Sequence, residues 1–184
     1  MTTAATTALP TDALPTGALP SDALPRDLAL RRAFSVYPTG VVALAAQIED
    51  RAVGMAVNSF TSISLEPALV AISAARTSKT WPVLRAVPEL GMSVLAAHHE
   101  PLSRSLSARE GDRFGGHEWQ RAEGGAVLIA DAALWLTCRL HSTFDGGDHE
   151  IALYEIADVT LFDDVEPLVF HQSRYRSIAA PESA

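Results

Sequence analysis

Gly54-Met55-Ala56-Val57-Asn58-Ser59-Phe60-Thr61-Ser62-Ile63-Ser64-Leu65-Glu66-Pro67 is an apolar strand that runs without a break into small hydroxyl and amide side chains and stops at a proline. By itself it describes a strand that leaves a barrel wall and turns. The apolar half has the composition of a buried strand, and the half that follows is rich in small hydroxyl side chains, Ser59, Thr61, Ser62 and Ser64.

The segments around it are strand-like too. Val41 to Ile48 and Ala52 to Ser59 flank the polar Glu49-Asp50-Arg51, which predicts a hairpin. Leu69 to Ile72 reads as a buried strand after Glu66-Pro67, and Leu90 to Ala96 as another. Leu134, Leu136, Cys138 and Leu140 alternate with Trp135, Thr137, Arg139 and His141, the period of two that a strand requires. Asp145-Gly146-Gly147-Asp148 is a turn, after which Ile151, Leu153, Ala157, Val159 and Leu161 continue the pattern, and Leu168 to His171 supplies a last strand. Helices are few and short. One is capped by Asp27 and ends before Pro38; one is opened by Thr77-Ser78 and tolerates Pro82 in its first turns; one runs from His98 to Arg109 with Leu102 and Leu106 four apart. Many strands with peripheral helices predict a mainly β fold, a β-barrel, and not alternating βαβ units.

Composition sets the outer limits. The chain has 184 residues and a net charge of −8, which excludes a uniformly basic nucleic-acid footprint and makes anionic membrane surfaces poor partners. No apolar run approaches the roughly 18 residues of a membrane span. The one cysteine, Cys138, cannot close an internal disulfide and reads as a small core residue, which points to a reducing, cytoplasmic setting. Ala-Leu-Pro recurs at Ala8, Ala13, Ala18 and Ala23. A proline at every fifth position forbids a helix. Residues 1–26 are therefore expected to be a disordered tail without a secretory signal, 27–178 the folded domain and 179–184 a flexible C-terminus.

Several kinds of chemistry are missing. No G-x-G-x-x-G follows a strand, and there is no Walker loop and no G-x-S-x-G elbow. A single cysteine rules out multi-thiolate metal centres. His98 and His99 are helix neighbours about 100° apart, which suits a solvated helix start better than a chelating pair. No metal site is expected.

The quoted stretch closely resembles the flavin-contacting segment of the short-chain flavin reductases, which share an FMN-binding split-barrel fold. Further motifs carry the same resemblance in the same order: Pro38-Thr39-Gly40-Val41, Arg76-Thr77-Ser78-Lys79-Thr80-Trp81, Asp112-Arg113-Phe114-Gly115, Gly147-Asp148-His149 and Ser173-Arg174-Tyr175. It covers about residues 28–178.

The resemblance implies a site. Residues Ala56, Val57, Asn58, Ser59, Thr61 and Ser62 would meet the flavin ring, whose polar N1–O2 to O4–N5 edge suits free backbone N–H groups. Ser78, Lys79 and Thr80 would take a flavin phosphate at a helix start, and Phe114 would cover part of the cofactor. Thr39, Asp148, His149 and Tyr175 would lie at the nicotinamide, with His149 as the catalytic residue and Asp148 orienting it. The implied activity is NAD(P)H-dependent flavin reduction with FAD favoured over FMN and NADH over NADPH. The resemblance further implies a homodimer with flavin sites near the subunit interface, and a separate flavin-dependent monooxygenase that receives the reduced flavin. The alternative is a non-catalytic flavin- or haem-binding split-barrel carrier or sensor, which would need the flavin segment but not His149 and Tyr175.

Overall fold

In the computed structural model, which describes residues 25–178, the chain divides into one unit ending at Val36 and another beginning at Tyr37. The tail before Pro25 and the C-terminus after Ile178 lie outside the described residues. In the first unit, helix α1 spans Arg26–Phe34. Its N-cap is Pro25, whose carbonyl accepts the Ala29 N–H, so Asp27 stands in the first turn and is not the cap. A carboxylate there still complements the positive end of the helix dipole.

The second unit is built on strand β2 (Val42–Ile48), which is buried on both faces. Val42, Leu44 and Ala46 point into one core with Ile72, Leu90, Met92, Leu136 and Tyr154. Val41, Ala43 and Ala45 point into a second core with Leu95, Leu102, Leu106, Val127 and Ile129. Two-sided burial is why this stretch is apolar without alternation. β2 forms the expected hairpin with β3 (Arg51–Val57) through Glu49, which adopts φ 54°.

The main sheet has seven strands in the order β3-β2-β6-β9-β10-β5-β4, every neighbour antiparallel. Here β4 is Thr61–Leu65, β5 Ala68–Ala75, β6 Leu90–Val94, β9 Leu134–Gly146 and β10 His149–Leu161. The sheet curls until the chain after β3 meets β5 through Ser59 and Ser73, yet no ladder joins the edge strands β3 and β4. The barrel is therefore split along β3. A second sheet, β1-β11-β12 (Thr39–Gly40, Val169–His171, Arg174–Arg176), and a hairpin of β7 (Trp119–Arg121) with β8 (Val127–Ile129) flank it. Helix α3 (Glu100–Ser107) covers β3 and buries Leu102 and Leu106. Each buried leucine contributes about 1.5–3 kcal/mol.

Three further expectations are corrected. The helix opened by Thr77-Ser78 is a single turn, α2 (Trp81–Leu84), because Ser78 Oγ accepts the Trp81 N–H and holds residues 76–80 as a loop. The His98–Arg109 helix begins as a 3-10 turn, Ala97–His99, and His99 is buried, not solvated. Its Nδ1 accepts the Ala96 N–H at 3.1 Å, and burial, reinforced by His98 and His117, lowers its pKa to about 4. The alternation in β9 ends at Cys138: Leu140 lies beyond the last residue paired with β6 and beside a bulge at His141, so it has no interior to face. The β7–β8 hairpin was not expected at all; each strand has three residues, too few to show a period. Cys138 is a core residue, as read from its strand, and burial pushes its thiol up to about 12.

Candidate functional site

β3 pairs with β2 alone, so its other edge presents main-chain groups outside any ladder. Two cavities open along this strand. Ala52 and Gly54 line the larger, of about 820 Å³; Ala56 and Asn58, the next positions on the same face, line the smaller, of about 210 Å³. The residues on this face are small for a reason. A Cβ on Gly54 would stand 2.7 Å from Phe114 Cζ and 2.8 Å from the Leu44 carbonyl oxygen.

The smaller cavity gathers Ala56, Val57, Asn58 and Tyr175 with Val41, Ser103, Ser107 and Phe170. Tyr175 is firmly placed. Its hydroxyl shares a 2.8 Å hydrogen bond with the buried Ser103, its ring meets Phe170 edge-on at 5.3 Å, and the Arg104 guanidinium lies 4.9 Å from its ring centre. Thr39 pairs with Phe170 across β1 and β11, and its hydroxyl is buried without a hydrogen-bond partner among the described residues. A buried hydroxyl left open beside a cavity suits a site meant for a polar ligand.

The loop after β5 runs back along β3, as three contacts in antiparallel order show. Ser59 Oγ bridges the N–H and carbonyl of Ser73; Ser78 Oγ lies 4.0 Å from Met55 Sδ; Arg113 Nη1 donates both to the Gly54 carbonyl (2.9 Å) and to Thr80 Oγ1 (2.8 Å). Ser78 and Thr80 thus stand close to β3. Lys79 is exposed and makes no ion pair among the described residues. The one-turn α2 offers little dipole, so a phosphate here would rely on Lys79, the hydroxyls and loop N–H groups. Phe114 is buried and forms a wall of the larger cavity with Thr80. Thr61 and Ser62 lie exposed on β4.

His149 opens β10 directly after the turn Gly147-Asp148 and pairs with Ala75. The turn is fastened to the loop: Arg76 N–H donates to the Asp148 carbonyl, its Nε to the Gly147 carbonyl and its Nη2 to Asp145. Gly147 has φ 77°, a conformation that favours glycine. The His149 Nδ1–H donates to Asp148 Oδ1 at 2.8 Å, since a carboxylate can only accept, which points Nε2 away from Asp148. His149 therefore stands beside residues 76–80, whereas Tyr175 lines the smaller cavity and Thr39 pairs with its neighbour Phe170; His149 lines neither of the two cavities. Arg113 and Ser103 were missed as site residues. Arg113 sits inside a motif noticed for its phenylalanine, and Ser103 is one of several serines on a helix, distinguished only by its tertiary partner.

A barrel split along one strand, with small residues and main chain outside any ladder lining two cavities, is a split barrel. The flavin reductase-like domain model matches residues 34–179. The NADH-dependent FAD reductase of Streptomyces globisporus is 38% identical over 156 residues, covering 82% of this chain and 85% of that protein. A solved structure of an NADH:FAD oxidoreductase from Streptomyces globisporus C-1027, with NAD and FAD fragments, superposes with a TM-score of 0.81 at 36% identity, covering 86% of this chain and 96% of the other. The reductase subunit HsaB of a flavin-dependent monooxygenase from Rhodococcus jostii is 28% identical over 148 residues, covering 80% of this chain and 76% of that protein. The chain belongs to the flavin reductase-like domain family.

Proposed function

We propose that this protein is a flavin reductase that takes hydride from NADH, prefers FAD to FMN, and supplies reduced flavin to a separate monooxygenase. The observation that carries the reading is the open edge of β3 beside the cavity that holds Asn58 and Tyr175, in a chain of this family. With both partners bound, hydride passes from the nicotinamide C4 to the flavin N5, chemistry that the two cofactors supply.

The protein's work is placement. The free edge from Ala56 to Ser59 receives the polar rim of the flat ring, with Asn58, Thr61 and Ser62 adding side-chain contacts. Ser78, Lys79 and Thr80 take the flavin phosphate, and Phe114 backs the cofactor from its wall. His149, oriented by Asp148, presents Nε2 toward the nicotinamide and is the catalytic residue; Tyr175 and Thr39 border the same ligand, although within one chain they share no cavity with His149. Stacking two rings within about 3–3.5 Å is what makes the transfer fast.

The preference for FAD and NADH is supported by the relatives from Streptomyces globisporus, whose names specify both. The monooxygenase partner is supported by the HsaB relationship. A homodimer is supported by apolar side chains left open on strand edges and on the outer ribbon: Leu65 is 96% exposed, Leu161 64% and Phe144 53%. A cytoplasmic setting agrees with the single cysteine. Among the described residues no helix is long and apolar enough to cross a membrane.

Purified protein given each flavin with each reduced nicotinamide should show NADH oxidation that depends on flavin and runs fastest with FAD. Flavin binding without nicotinamide oxidation would make the protein a carrier instead.

A further inference from the structure

The larger cavity has a chemistry that the roles above do not use. Three of the chain's fourteen basic side chains, Arg51, Arg109 and Arg113, line it together with Trp119, Phe114 and Thr80. Trp119 keeps 37% of its surface open, and Phe114 meets it edge-on at 6.3 Å, which steadies the indole without stacking over it. Arg113 is committed to Gly54 and Thr80, but Arg51 and Arg109 have no side-chain partner among the described residues. Of the two acids in the lining, Asp112 is occupied in accepting the N–H groups of Phe114 and Gly115 through Oδ1, which leaves Glu110. In a chain of net charge −8, two unpaired guanidinium groups and an open aromatic ring share one concavity.

An aromatic surface beside guanidinium groups suits a base joined to phosphates. The position agrees. The loop carrying Ser78 and Thr80 runs along β3 toward Arg51, and Gly54 and Ala56, which line the two cavities, are neighbours on one strand face about 6.7 Å apart.

We propose that the larger cavity is the subsite for the adenosine diphosphate half of a dinucleotide, with adenine against Trp119 and the diphosphate at Arg51 and Arg109. This rests on the reading of β3 as the flavin strand. Both FAD and NADH carry that half. The flavin's is favoured, because the loop assigned to the flavin phosphate opens into this cavity through Thr80. Arg51 and Arg109 would then decide FAD over FMN.

The test uses the full chain and its Arg51→Ala and Arg109→Ala variants, both at exposed, unpaired positions that leave the cores untouched. Calorimetric titration with ADP should show binding that weakens about tenfold in each variant. In steady state the KM for FAD should rise about tenfold while that for FMN holds. A rise confined to the KM for NADH, absent with reduced nicotinamide mononucleotide, would keep the subsite but overturn its assignment to the flavin. ADP binding unchanged by both substitutions, or equal losses for FAD and FMN, would overturn the proposal. Failure of the wild type to reduce either flavin would sink the flavin reading instead, and the ADP titration would still decide the cavity.

Discussion

Ser59 holds Ser73 by both of its main-chain groups: Ser59 Oγ accepts the Ser73 N–H at 2.9 Å and donates to the Ser73 carbonyl at 2.9 Å. It is a side chain imitating one rung of a ladder where the barrel is split and no ladder exists. Ser59→Ala leaves both partly buried groups without this partner, at a cost of about 1–3 kcal/mol. The melting temperature should fall by about 3 °C or more, and flavin affinity should fall with it, since the bridge fixes the chain next to Asn58. Calorimetry and a flavin titration check this; an unmoved melting temperature would show the bridge to be dispensable.

His149→Ala removes the imidazole beside the loop of residues 76–80 without touching either cavity wall. kcat/KM for NADH should drop about tenfold or more, while the dissociation constant for FAD stays within about twofold. A matching loss of flavin affinity would move His149 from the nicotinamide to the flavin.

Tyr175 and Ser103 are coupled through one 2.8 Å hydrogen bond. Tyr175→Phe keeps the ring against Phe170 and Arg104 but leaves the buried Ser103 hydroxyl unpaired, at a cost of about 1 kcal/mol. KM for NADH should rise severalfold with little change in kcat. Ser103→Ala should act in the same direction, and the double variant should lose clearly less than the sum of the two, close to the worse single variant, because both remove the same bond. Additive losses would show that the two residues act separately.

His99 makes stability depend on pH. Its folded-state pKa of about 4 lies below the ordinary 6.5, so the unfolded chain takes up the proton first as pH falls. Stability from this group is complete above about pH 6.5, is lost as pH falls toward about 4, and levels off below that. The steepest slope is about 1.4 kcal/mol per pH unit. His99→Asn keeps an acceptor for the Ala96 N–H and removes the titration, so its melting temperature should change less between those pH values. An identical pH profile in wild type and variant would exclude His99 as the source.

The strands that carry the site were legible because their constraints are local. β2 is apolar from Val42 to Ala46 since both its faces are buried there, and β10 was marked by the turn at Gly147. Local signals failed where a neighbour decided the outcome. Leu140 has the right period but no facing core beyond β6. His99, which the chain offered as a polar helix start, is buried by packing from Ala96 and its surroundings. The residues expected at the nicotinamide illustrate the same limit, since Tyr175 belongs to one cavity and His149 to the hairpin beside residues 76–80.

The sequence alone determined that the chain is mainly β with peripheral helices and that the stretch from Gly54 to Pro67 is its distinctive strand exit. These are matters of period, turn chemistry and residue size, all of which act between near neighbours. Only the tertiary structure decided that the barrel opens along β3, that Ser59 spans the gap to Ser73, that Ser103 fixes Tyr175, and that unpaired arginines and Trp119 share a cavity. Those relations join residues far apart in the chain. They exist because curling the sheet brings its edge strands near each other without pairing them, and no local pattern encodes which side chains that closure brings into contact.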